Sequence, residues 1–272
     1  MAKTSTKKPP TKKTINDLAV SLRKAGETGK ACAPIRTSLS DGDVDAAYAI
    51  QETNTKYWLN KGRRLVGRKI GLTSKVVQTQ LGVDQPDFGM LFADMAYSDG
   101  EEIPVGALIA PKIEGEVSFV MGDDLEMEHP TIADVTNAIA YATASIEIVD
   151  SRVRDWDISI LDTVADNASA GAFILGNEPH ALEDFDSRLC GMVVEHRGEP
   201  VSVGAGAACL GNPLNAMVWL AREMVARGRP LSAGDIVMSG ALGPMVPVTP
   251  GEVYEVRING LGSVRAVFGE EK

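Results

Sequence analysis

Two glutamates stand one residue apart in PKIEGEV (111–117), inside a run that is otherwise apolar. The longer string PKIEGEVSFVM alternates as a β-strand does, with Ile113, Gly115, Val117 and Phe119 on one face and Glu114 and Glu116 on the other. Same-face neighbours on a strand lie about 6.5–7 Å apart at the backbone, so the two carboxylates can converge on one point. Buried together without a partner, one of them would take up a proton. A divalent cation removes that conflict, and all-oxygen ligation suits magnesium or manganese better than zinc. Spacing leaves a second reading open, in which both glutamates are solvated on the exposed face of an edge strand. A third carboxylate brings the metal site level with that reading: SIEIVD (145–150) sets Glu147 between Ile146 and Ile148. Three carboxylates leave coordination positions free, as a catalytic metal requires.

Other polar residues sit in places where chemistry is conceivable. In GRKIGLTS, Lys69 lies between Arg68 and Ile70 in a glycine-flanked context. A lysine there can bind a carboxylate or transfer a proton if burial lowers its pKa, and it can equally be a surface lysine. Asp87 of QPDFG follows a proline, so it reads either as a turn residue or as an acid/base that orients Lys69. The charges of DSRVRDWD (Asp150, Arg152, Arg154, Asp155, Asp157) fit an internal salt-bridge network or a subunit contact better than catalysis. DTVADNASAG (162–171) is a polar loop before a glycine, suited to placing hydroxyl and amide groups. Its Ser169 has no histidine nearby in sequence, and the histidines at 129, 180 and 196 fall in expected turns or surface strands, which disfavours a Ser-His-Asp hydrolase. GAGAACLG (204–211) lacks both GxGxxG and the P-loop lysine, so nucleotide binding is a weak reading. SGALGPMVPV (239–248) reads as a Gly/Pro loop that could wall a pocket.

The elements that must position these groups follow from the periodicity. TINDLAVSLRKAGETG carries Ile15, Leu18, Ala19 and Leu22 at helical spacing. A second helix is expected in SDGDVDAAYAIQETNTKYWLNKG, with Ser40 and Asp43 forming a capping-box-like start. RLVGRKIGLTS reads as a strand leading into a short helix, SKVVQTQLG. Beyond QPDFG, strand-like segments with Gly and Pro turns dominate: KIEGEVSFVM, SIEIVDSRV, GAFILG, CGMVVEHRGEPVSVG, GDIVMSG, and the pair GEVYEVRI and GSVRAVF joined around Asn259-Gly260 as a hairpin. Two helices interrupt them. One is expected over 131–145, as the crossover between the two glutamate strands, and the other over 212–228, ending at a capping Gly228. The fold class is α+β: a basic tail (1–13, expected to be disordered), a helical N-terminal region (14–75) and a β-rich core (76–272).

Composition narrows the function classes. The 272 residues carry a net charge of −10, which argues against general nucleic-acid binding. It leaves an anionic small substrate open, because a few cations or a metal set the field of a single pocket. Cys32, Cys190 and Cys209 are odd in number and lack metal-ligand spacing, which points to a reducing, cytoplasmic compartment. No apolar run approaches the ~18 residues of a membrane span. The opening MAKTSTKKPPTKK has no apolar segment of the kind a secretory signal needs.

Several of these strings, taken in order, resemble one family. GRKIGLTS, GVDQPDFGMLFADM, the E-x-E strand, EIVDSRVRDW, DTVADNAS, GAGAACLGNPLNAMVWLA and SGALGPMVPV are similar to the 2-keto-4-pentenoate (2-hydroxypenta-2,4-dienoate) hydratases of the fumarylacetoacetate hydrolase superfamily, over about residues 15–268. The resemblance implies a mixed β-roll core with a helical N-terminal region, and a homo-oligomer often built from pentamers. It implies a metal triad at Glu114, Glu116 and Glu147 holding Mg2+ or Mn2+, with Lys69, Asp87 and Ser169 as active-site residues. It also implies a small 2-oxo or 2-hydroxy-dienoic acid as substrate, hydrated to 4-hydroxy-2-oxopentanoate in meta-cleavage breakdown of aromatic compounds. A complex with a sister decarboxylase or a downstream aldolase would fit such a role. One departure is visible: Ala170 stands where the family commonly has cysteine after the serine, a change expected to alter pocket shape and not mechanism. The sister 4-oxalocrotonate decarboxylases share nearly all these motifs and form the alternative reading. A C–C bond hydrolase, expected to need a histidine base, and a non-catalytic partner subunit are weaker alternatives.

Overall fold

A computed structural model of the chain describes residues 9–81 and 83–270. Helix α1 (Lys12–Thr28) starts from Thr11, whose hydroxyl accepts the Thr14 N–H, and ends at Gly29 in the left-handed conformation. Lys12 and Lys13 are therefore helical, which shortens the tail expected over 1–13; residues 1–8 lie outside the described residues. Helix α2 (Val44–Asn60) is capped by Asp43, whose carboxylate accepts the Ala46 N–H at 3.1 Å. The cap thus falls three residues later than the Ser40 start expected from sequence, because the aspartate reaches the free amide directly. Arg23 of α1 bonds Asn54 of α2 at 2.7 Å and lies over the Tyr57 ring, joining the pair.

Strand β1 (Leu65–Gly71) runs into α3 (Lys75–Leu81), and β2 (Asp87–Phe92) returns antiparallel to β1. Short strands β3 (Ala96–Tyr97) and β4 (Glu102–Ile103) precede the long β5 (Lys112–Met121). Helix α4 (Ile132–Ala138) leads straight into β6 (Ile139–Val149). Then follow α5 (Ile160–Ala165), β7 (Ala170–Leu175), the hairpin of β8 (Gly191–His196) and β9 (Glu199–Ala205), and α6 (Pro213–Ala226) with Gly228 left-handed just beyond it. The chain closes with β10 (Ile236–Met238), β11 (Val246–Pro247) and the expected hairpin of β12 (Val253–Ile258) and β13 (Gly262–Phe268).

The strands form two sheets, one ordered β2-β1-β10-β5-β6-β7-β3 with β11 also on β5, the other β4-β13-β12-β8-β9. Both parallel and antiparallel pairs occur in each, so the sheets are mixed. Gly115 marks where they pack, since a Cβ there would sit 2.9 Å from Val256 and 3.0 Å from Met192 of the second sheet. The helices cover another part of the first sheet: Tyr48 of α2 stacks on Phe88 with ring centroids 4.6 Å apart, and Trp219 of α6 lies 6.5 Å away.

Two sequence expectations change. The helix foreseen over 131–145 stops at Ala138, and residues 139–149 are strand β6, paired antiparallel with β5 along nearly its whole length. No crossover is needed. Alanine is the best helix former, but Ile139, Tyr141 and Thr143 alternate with small residues, and the ladder to β5 outweighs the alanines' preference. β1, which falls before the expected boundary at 75, is hydrogen-bonded between β2 and β10 inside the main sheet. Among the described residues no helix is long and apolar enough to cross a membrane, and the three cysteines are free.

Candidate active site and metal centre

The register of the main sheet brings the charged residues onto one face. Glu114 of β5 stands directly opposite Glu147 of β6, and Glu116 stands opposite Ser145. On the far side, Lys69 of β1 is aligned with Met238 of β10, which is aligned with Ser118 of β5. Side chains alternate along strands, so Lys69, Glu114, Glu116 and Glu147 project together. Asp87 joins them at the start of β2, opposite Gly71. The alternative of solvated glutamates on an edge strand is thereby overturned: β5 is central, and Glu116 and Glu147 are 0% and 1% exposed.

One carboxylate oxygen from each of Glu114, Glu116 and Glu147 can be chosen so that all lie within 4.8 Å of one another. Oε2 of Glu116 accepts the Gly240 N–H at 2.8 Å, which brings the expected SGALGPMVPV wall into the site through its backbone. Oε1 of Glu116 and Oε2 of Glu147 are buried without a hydrogen-bond donor among the described residues. Burial first, and the Glu147 charge second, push Glu114 up to about 7 and Glu116 well above the ordinary carboxylate range. Largely buried (Glu114 is half-buried), oxygen-only, short of donors and mutually repelling, this set fits a hard divalent cation, and these three residues would hold it.

Lys69 Nζ lies 2.8 Å from Oε1 of Glu147, an ion pair poorly aligned as a hydrogen bond, and donates to the Ala168 carbonyl at 2.7 Å. Burial would lower its pKa, but Glu147, Asp87 and Glu114 outweigh that and hold the ammonium above the ordinary lysine value. Asp87 behaves oppositely: burial raises it to about 6, against the pull of Lys69. Its carboxylate sits where Gly71 leaves room, since a Cβ at Gly71 would meet Oδ1 at 2.1 Å. Both oxygens are buried and lack a well-formed hydrogen bond. Asp87 is thus a strand residue facing Lys69, not a turn residue.

Ser169 closes the site from a loop after α5. Asn167, Ala168 and Ser169 are all left-handed, with φ of 57°, 51° and 55°. Three such residues in succession are costly for side chains larger than glycine, roughly 1–2 kcal/mol each, and clustered backbone strain marks functional sites. Ser169 Oγ is buried with no hydrogen-bond partner among the described residues, which leaves it available to a ligand. The sequence marks this loop as polar but singles out no role for Asn167. Its side chain takes the Met90 N–H at 2.7 Å and donates to the Met90 carbonyl at 2.9 Å. No local pattern signals that contact, because the partners are far apart in sequence.

Three charges of the DSRVRDWD stretch have partners within the chain, each of them outside that stretch. Arg152 pairs with Asp166 at 2.6 Å, Arg36 with Asp157 at 2.6 Å, and Asp150 accepts the Ala110 N–H at 2.7 Å. A cavity of about 360 Å3 bordered by Arg23, Trp58, Arg63 and Asn167 includes none of the three glutamates, so side-chain chemistry and not cavity size locates the centre.

Residues 64–268 match the family described as fumarylacetoacetate (FAA) hydrolase C-terminal. The TodF product hydratase of Pseudomonas putida is 58% identical over 92% of this chain and 93% of its own. The 2-keto-4-pentenoate hydratase of Paraburkholderia xenovorans is 56% identical over 93% of this chain and 94% of its own. Among solved structures, 4-oxalocrotonate decarboxylase from Pseudomonas putida G7, complexed with magnesium and adipate, superposes with a TM-score of 0.92 at 35% identity, covering 96% of this chain and all of that one. Sequence identity above one half across nearly the whole chain, on this fold and around this carboxylate cluster, makes the protein a member of the 2-keto-4-pentenoate hydratase family.

Proposed function

We propose that this protein is a metal-dependent hydro-lyase that adds water to 2-hydroxypenta-2,4-dienoate, giving 4-hydroxy-2-oxopentanoate. The observation that carries the proposal is the triad of half-buried Glu114 with buried Glu116 and Glu147, with Lys69 and Asp87 beside it, in a chain whose relatives at 56–58% identity are named as hydratases. Magnesium or manganese suits the triad, by the hardness of the oxygen donors. A divalent cation held there supplies positive charge to the carboxylate and 2-oxygen of a 2-oxo acid and to the enolate form.

The chain's own groups supply the rest. Lys69, kept charged by its carboxylate neighbours, binds the substrate carboxylate and anchors Glu147. Asp87, near 6, is the group poised to exchange a proton close to neutral pH, so it serves as the acid/base. It moves the proton released from the 2-hydroxyl to C5, converting the dienol to an α,β-unsaturated 2-oxo acid. Water then adds its oxygen at C4 and a proton at C3. Ser169 Oγ donates to a substrate oxygen. The family resemblance supports reading it as a cytoplasmic, self-associating enzyme of aromatic catabolism, with a decarboxylase or aldolase as a fitting neighbour.

The test is direct. Purified protein with magnesium should bleach the ultraviolet absorbance of the dienol and yield the 4-hydroxy acid. Release of carbon dioxide from 4-oxalocrotonate, with no bleaching of the dienol, would replace the hydratase reading with that of its structural neighbour.

A further inference from the structure

We propose that Asn167 is a positioning residue for the hydration, acting with Gly89 as a latch that fixes where Lys69 and Ser169 stand. The proposal rests on the hydratase reading above. β2 is the terminal strand of its sheet, so alternate backbone groups of β2 point away from β1 with no strand to receive them. At Met90 the Asn167 carboxamide takes the place of that missing strand, accepting from the Met90 N–H at 2.7 Å and donating to its carbonyl at 2.9 Å. Few side chains of this length offer a donor and an acceptor in one plane. Aspartate lacks the donor and would set an oxygen against the Met90 carbonyl; alanine offers neither.

Gly89, the neighbour of Met90, lets the loop come this close, because a Cβ there would lie 2.2 Å from the Asn167 carbonyl oxygen. Lys69 is aligned with Gly89 across β1 and β2, so the loop crosses directly over the lysine. The next carbonyl, that of Ala168, receives Lys69 Nζ at 2.7 Å, and the following residue carries the unpartnered Ser169 hydroxyl. The Asp150 N–H holds the Ser169 carbonyl at 2.7 Å from the other side. Among the described residues the Asn167 side chain bonds Met90 and none of the three glutamates, yet it sets the position of two groups that face the substrate.

Asn167→Asp and Gly89→Ala disturb the same contact from opposite sides. Each is expected to lower kcat about 100-fold, the cost of misplacing a reacting group by roughly 1 Å. The magnesium-induced rise in melting temperature should stay near wild type, because the triad is untouched, while KM should rise as kcat falls, because Lys69 and Ser169 also hold the substrate. In Asn167→Ala, hydrogen exchange at the Met90 amide should accelerate while its neighbours in β2 stay protected. Wild-type kcat in Asn167→Asp, an unchanged Met90 exchange rate, or loss of the magnesium response together with activity would each overturn the proposal. If the wild-type protein fails to hydrate the dienoate, the functional reading falls, and the Met90 exchange rate still decides the latch.

Discussion

Replacing Glu116 by glutamine should blunt the way the protein responds to pH and to magnesium. The triad oxygens lie within 4.8 Å of one another, so each fully ionised pair repels by about 3.5 kcal/mol or more at an effective dielectric near 20. Without a cation the fold relieves this by keeping protons: Glu114 rises to about 7 and Glu116 is pushed well above the ordinary carboxylate range. A carboxyl whose folded pKa exceeds its unfolded value binds more protons when native. Its stabilising effect is therefore complete below the unfolded value and is lost as pH rises through the folded one. Metal-free protein should become less stable as pH climbs from about 5 to 9, with the fall centred on the Glu114 value of about 7. Magnesium at a hundredfold excess over its dissociation constant should restore about 2.7 kcal/mol, or roughly 5–10 °C of melting temperature. Glu116→Gln keeps an acceptor for the Gly240 N–H and removes one charge. Stripped of metal at pH 8–9 it should melt above the wild type, the gap should close at pH 5, and magnesium should shift it little. Differential scanning fluorimetry of chelator-treated protein across that range reads all three effects. A wild-type melting point indifferent to magnesium and manganese at pH 8, or a full magnesium response in Glu116→Gln, would refute the metal-centre reasoning.

Asp87→Asn should lower kcat by about 10²–10⁴-fold, the usual worth of a general acid/base, and leave the magnesium shift intact in the same fluorimetry. Ser169→Ala removes a buried hydroxyl that has no partner, so its urea midpoint should match or exceed the wild type while kcat/KM falls. Lys69→Met strands Glu147 in the interior and should cost about 3–5 kcal/mol in urea unfolding of the metal-free protein, part of which magnesium restores. A Lys69→Met variant as stable as the wild type without metal would mean that the ion pair does not hold the site together.

The three glutamates were legible because strands encode facing in alternation, whereas Lys69, Asp87 and Ser169 were singled out as a set only by the family resemblance. Glu114 and Glu116 announced a shared face, and Glu147 between two isoleucines announced a second. Alternation says nothing about which strands are neighbours, so burial of the pair became apparent only when β5 was seen in mid-sheet. The segment 131–145 misled because alanine suits a helix and a tightly packed strand equally, and partners distant in sequence made the choice. Asn167 was missed for a related reason: a side chain that bonds one distant backbone residue leaves no periodic trace. Asp43 was displaced from its expected role only by local competition between two possible caps.

The pairing of Glu114 against Glu147 also bears on how the chain folds. A β6 that joined β5 one residue out would turn Glu147 to the opposite face and bring Ile146 or Ile148 beside Glu114. The misassembled sheet would keep most of its hydrogen bonds and much of its apolar contact, yet offer a cation only two ligands. The irregularity in this ladder falls at Val120 and Met121, away from the glutamates, so the stretch around them has no slack. A cation arriving during folding would thus reward the one alignment that is also the active one, and the centre would act as an inspector of the sheet that builds it.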